Sequence, residues 1–106
     1  MKKLLYHKLV RDRIPEIIEE SGKRYSVRQV REDELKRYAL KKLREEVQEF
    51  VENPCAEEAA DIREIFEFVC EREGIKESAI RAHQIAKRVT KGAFGMGFVL
   101  GWVEDE

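Results

Sequence analysis

From about Asp33 the apolar positions recur at three- and four-residue steps: Leu35, Ala39, Leu40, Leu43, Val47, Phe50 and Val51. That is the stripe of an amphipathic helix. Asn53-Pro54 interrupts it, and a second stripe follows at Ala59, Ile62, Ile65, Phe66, Val69 and Cys70. The second stripe predicts a helix from about Pro54 to Glu73, with Gly74 closing it. Asparagine is a good N-cap and proline a good first-turn residue, while a residue before proline avoids the α region. The dipeptide is therefore read as ending one helix and starting the next. A third helix is expected from about Glu77 to Lys91, with Lys76 or Ser78 near its start and Gly92 after its end. Upstream, Pro15 suits the first turn of a short helix, IPEIIEESG, closed by Gly22. Residues 4–11 read as extended or irregular; 23–30 read as a loop or a short strand, which periodicity does not separate. The expected fold is all-α, one domain over residues 1–106, with a helical hairpin at its core.

The C-terminal stretch differs in kind. Four of the six glycines lie between 92 and 101, mixed with Phe94, Phe98 and Trp102. It matches no phosphate-loop or dinucleotide motif, and is expected to pack over a neighbouring surface as core or subunit contact. Charged residues are 41% of the chain with two prolines, which fits long solvated helices. The net charge of −1 gives no reason to expect a nucleic-acid polymer or an anionic membrane as partner. The longest charge-free run, Gly92 to Val103, is too short to span a bilayer, and the N-terminus has no apolar signal core. Cys55 and Cys70, about 22 Å apart if on one helix at 1.5 Å per residue, cannot bridge each other. Together these lead to the expectation of a cytoplasmic protein with reduced thiols. His7 and His83 are read as lone surface or packing residues.

The chemistry-bearing stretch is EEVQEFVENPCAEEAAD, residues 45–61. With the pivot at Asn53, Glu46 matches Asp61 in height along the hairpin, and Glu49 matches Glu58. At 100° per residue Glu58 falls between Ile65 and Val69, and Asp61 has Ile65 at i+4. Both acids thus lie in or beside the apolar stripe. Glu46 borders the stripe of the first helix, Glu49 lies further out, and Glu45 points mostly away. Solvating acids belong on the opposite face. Converging carboxylates in a partly apolar cleft need protons, bases or a metal. Lys42, one turn before Glu46, offers one base. Hard oxygen donors without nearby His or Cys suit Mg²⁺ or Mn²⁺. From the residues alone, a metal site and a solvated acidic hairpin both stand.

KLREEVQEF followed by EEAADIREI resembles the EExxE…ExxD pattern of the all-α nucleoside triphosphate pyrophosphohydrolases, the MazG-like and phosphoribosyl-ATP pyrophosphohydrolase superfamily. YHKLVRDRIPEIIEESGK is similar to the KLVRDKIPEII segment of a small MazG-like branch, and KRVTKGAF with a later Leu100 to that branch's (K/R)-G-x-F segment. His7 stands where the branch often has Asn, and AFGMGFVL is more apolar than its usual charged tail.

The resemblance implies a small four-helix-type bundle, a homodimer or homotetramer, and Mg²⁺-dependent hydrolysis of a nucleoside triphosphate to the monophosphate and pyrophosphate. Carried over by position, the metal ligands are Glu46, Glu49, Glu58 and Asp61. Glu45 and Lys42 join Glu46 as catalytic residues, with Glu45 orienting water or Lys42. Triphosphate also needs cations, for which Lys8, Arg11 and Arg13, or Lys87, Arg88 and Lys91, are the candidate clusters, each otherwise a solvated basic face. A house-cleaning role toward noncanonical nucleotides is one expectation. Phosphoribosyl-ATP hydrolysis in histidine biosynthesis is another, and a non-catalytic oligomeric binding or regulatory protein of the same fold is a third.

Overall fold

The computed structural model describes residues 2–105, and among them every regular element is a helix. Helix α1 is Ile14–Glu20, α2 is Glu32–Glu52, α3 is Ala56–Arg72 and α4 is Glu77–Lys91. Residues 23–30, where a short strand was one possibility, form an irregular segment. Gly22, Gly74 and Gly92 follow α1, α3 and α4 with φ of 80°, 70° and 84°, the left-handed region that favours glycine.

The turn between α2 and α3 differs from its expected form. Asn53 is not the N-cap of α3 but the C-cap of α2, its N–H donating to the carbonyls of Glu49 (3.0 Å) and Phe50 (3.2 Å). Pro54 lies outside both helices, and Cys55 is the N-cap of α3 without a side-chain capping bond. Proline forces Asn53 out of the α region, φ −148° and ψ 78°, and the chain needs two further residues before it re-enters a helix. The acids Glu57 and Glu58 in the first turn of α3 favour its positive dipole end.

Contacts group into two compact units, one ending at Gly74 and one starting at Ile75. The first is built on α2 packed against α3. Its buried residues are Ala39, Ile65, Cys70 and Glu46. Ala39 and Glu46 are seven residues apart, and so are Glu58 and Ile65, so each pair shares one helix face. The seam between the helices is therefore apolar toward the open end of the hairpin and acidic toward its turn. A Lys36–Glu73 ion pair at 2.6 Å ties the open end; lying in solvent, it is screened and adds little to stability. Arg28 reaches Glu34 at 2.8 Å and lies over the Tyr38 ring, fastening the irregular segment to the start of α2.

The second unit holds α4 and the glycine-rich tail. None of its described residues is buried. Phe94, Phe98 and Trp102 are exposed, which corrects the expectation that the tail packs as core within the chain. No described helix is long and apolar enough to cross a membrane.

Candidate metal centre

The acidic end of the hairpin seam brings three carboxylates together. One oxygen each from Glu46, Glu58 and Asp61 lies within 4.8 Å of the other two. Glu46 is 6% exposed, as deep as the apolar residues two turns away; Glu58 and Asp61 are half-buried. Glu46 Oε1 accepts from Lys42 Nζ at 3.2 Å. Glu46 Oε2 and Glu58 Oε2 are buried without any hydrogen-bond partner. Orphaned buried oxygens are rare in folded proteins and cost about 1–3 kcal/mol each, more for charged groups.

The electrostatics follow from this crowding. Burial pushes the Glu46 carboxyl above its ordinary range; Lys42 pulls it back, while Glu49 and Asp61 push it further up. Glu45, on the next position of α2, behaves oppositely. Burial alone would raise it, but Lys8 and Lys42 together outweigh that and hold it below the carboxylate range. Glu45 Oε1 accepts from Lys8 at 3.0 Å and from Lys42 at 3.5 Å. The Lys8 ammonium is in turn raised, chiefly by its hydrogen bond to Glu45.

Of the expected ligands, Glu46, Glu58 and Asp61 converge, whereas Glu49 stays outside. Glu49 is exposed on α2 and bears on Glu46 and Lys8 only through its charge. Glu49 differs from Glu46 in direction: three residues along a helix turn the side chain about 60° short of a full revolution, and Glu46 is the acid of α2 that comes together with Glu58 and Asp61.

The basic residues divide likewise. Arg11 Nη2 donates to Asp61 Oδ1 at 2.6 Å, so Lys8 and Arg11 both reach the acidic group from the N-terminal segment. His7, just before Lys8, has φ 45°. Asn, Asp and His are the non-glycine residues enriched in that left-handed region. Arg13 pairs locally with Glu16 at 2.8 Å and does not join the group. Lys87, Arg88 and Lys91 lie exposed on α4 in the second unit. The contacts of Lys8 and Arg11 with acids 37 and 50 residues away had no local signal in the sequence. Lys42, by contrast, is visible at helical spacing.

The donor set fits a hard divalent cation. It is all oxygen, it contains two unpartnered buried carboxylate oxygens, and its described surroundings supply no His or Cys ligand. Cys55 and Cys70 are both free thiols outside it. No family model, no curated protein and no solved structure matches the chain.

Proposed function

We propose that the chain is a Mg²⁺-dependent nucleotide pyrophosphohydrolase of the MazG-like type, Mn²⁺ being the alternative ion. The observation that carries the reading is the carboxylate trio of Glu46, Glu58 and Asp61, with Glu46 Oε2 and Glu58 Oε2 buried and unpartnered. The resemblance of the acidic motif and of both flanking segments supports it independently. In this reading Glu46, Glu58 and Asp61 hold the ion. A bound divalent cation supplies charge neutralisation for phosphate oxygens and acidifies water.

The chain's own groups have separable tasks. Lys42 keeps Glu46 from being an isolated buried charge and shares Glu45 with Lys8. Glu45, held ionised by its two bases, orients Lys42 or water. Lys8 and Arg11 are the cations on hand for phosphate. Glu49, a ligand by resemblance, is exposed and acts on Glu46 and Lys8 through its charge. The product pair is a nucleoside monophosphate and pyrophosphate, and noncanonical nucleotides are the proposed substrates.

A cytoplasmic location belongs to this reading, supported by two thiols that are not bridged. Assembly as a homodimer or homotetramer belongs to it as well, because α4 and the tail leave Ile85, Val89, Phe98 and Trp102 exposed. The test is release of pyrophosphate from a panel of nucleoside triphosphates by the purified chain with Mg²⁺. Turnover that Glu46→Ala abolishes is expected; an ion bound tightly with no turnover on any nucleotide would leave a binding protein instead. Light scattering that reports a monomer at micromolar concentration would remove the assembly from the reading.

A further inference from the structure

The N-terminal segment reaches the metal centre in an arrangement that only one of two cations can use fully. Arg11 donates to Asp61 Oδ1 at 2.6 Å, and Asp61 is one of the three converging carboxylates. The Arg11 side chain is 56% exposed while that of Asp61 is 33% exposed, so the guanidinium approaches from the solvent side and has open space to leave by. Glu46, at 6% exposure, keeps an unpartnered oxygen in the group even with Lys42 and Arg11 in place. These two bases thus leave the three carboxylates incompletely neutralised.

We infer that Arg11 is an exchangeable counter-ion: it occupies Asp61 while the centre holds no metal, and a divalent cation displaces it, freeing the guanidinium for an anionic ligand. The inference rests on the metal-centre reading above. Its physical basis is that a guanidinium on Asp61 and a divalent ion among Asp61, Glu46 and Glu58 share one carboxylate at short range, and two cations that close repel. Arg11 has solvent to move into, whereas Lys42, 18% exposed and bonded to both Glu45 and Glu46, does not. Lys8 stays with Glu45, which is outside the trio. The exchange also cancels the negative excess of the site. Before it, Lys8, Lys42 and Arg11 face Glu45, Glu46, Glu49, Glu58 and Asp61. After it, a divalent ion offsets that excess and Arg11 is unpaired, so a guanidinium is free to pair with phosphate oxygens. Cation and polyphosphate then bind in a favoured order, cation first.

Calorimetric titration of the full chain with Mn²⁺ at low ionic strength tests the exchange. Arg11→Gln removes the competitor, and binding about two- to fivefold tighter than in the wild type is expected, the range set by a partly exposed ion pair. Arg11→Lys should return the wild-type affinity or nearly so. Arg13→Gln loses the same charge two residues away from a residue paired with Glu16, and should leave affinity unchanged. The companion measurement is the Arg11 side-chain Nε–H resonance, which should move toward that of a solvated arginine at saturating Mg²⁺. Equal or weaker Mn²⁺ binding by Arg11→Gln, or an Arg11 resonance that Mg²⁺ does not move, would overturn the exchange while leaving the metal centre standing. Absence of Mn²⁺ binding in both wild type and Arg11→Gln would remove the centre and the exchange together.

Discussion

The α2–α3 hairpin and the α4 unit start from similar material and end differently. Both are rich in charge, and both carry an amphipathic helical pattern. In the hairpin that pattern meets a partner. Ala39, Ile65 and Cys70 are buried along the seam, and the acids that share their face are carried inward with them. In the second unit α4 has no other helix, and its basic residues stay exposed. A charged residue acquires an altered environment only when packing removes water from it. The motif at residues 45–61 and the basic run at 87–91 are comparable as strings, yet among the described residues only the hairpin builds a partly buried cluster of like charges.

Four measurements press on that contrast, beginning with the largest effect. Asp61→Ala or Glu46→Ala is expected to abolish pyrophosphate release, whereas Lys87→Ala and Lys91→Ala should leave metal binding at the wild-type level; metal affinity lost in the α4 variants would break the contrast. Next is the packing itself. Ile65→Ala should destabilise the chain by about 2–5 kcal/mol at any protein concentration, while Val89→Ala, 79% exposed on α4, should stay within about 0.5 kcal/mol at concentrations where the chain is monomeric. Urea denaturation of the two variants decides between them, and equal losses would mean that α4 is covered as deeply as the hairpin.

Smaller and opposite in sign is Glu46→Gln. It keeps the shape and removes a buried charge surrounded by like charges, so the metal-free chain should gain roughly 0.5–2 kcal/mol and lose the added stability that Mn²⁺ confers on the wild type. Thermal unfolding with and without Mn²⁺ reads both. The smallest effect is in the pH profile. The folded Glu46 carboxyl is raised above its ordinary value of 4.5, so its contribution to stability is present below that value and is lost as pH rises through the raised one. Glu45 is lowered, so its contribution is present above 4.5 and lost as pH falls through the depressed value. Glu46→Gln should flatten the first limb only and Glu45→Gln the second only. Metal affinity of the wild type should weaken as pH falls through the raised Glu46 value, because the ligand must be ionised.

Much of this was legible along the chain. The three- and four-residue spacing of Leu35, Ala39, Leu43 and of Ile62, Ile65, Val69 determined two long helices, and Asn53-Pro54 determined that they fold back on each other. The position of Glu58 and Asp61 beside Ile65 determined that these acids lean into the seam, since helical rotation is a local property. Lys42 next to Glu46 was fixed by the same spacing.

The tertiary structure decided the rest. The heights of the acids along the hairpin follow from the pivot, but which of them turn into the seam depends on how α2 faces α3, and Glu46, Glu58 and Asp61 are the three carboxylates that come together. The unpartnered oxygens of Glu46 and Glu58 exist only because packing excludes water from them. The placement of Lys8 on Glu45 and of Arg11 on Asp61 joins residues 37 and 50 positions apart through an irregular segment, for which no periodicity constrains direction. Local sequence sets the helices and the faces of their residues, because backbone geometry repeats over a few residues. Whether those faces meet another face, water or an oppositely charged arm is set by the long-range packing of the chain.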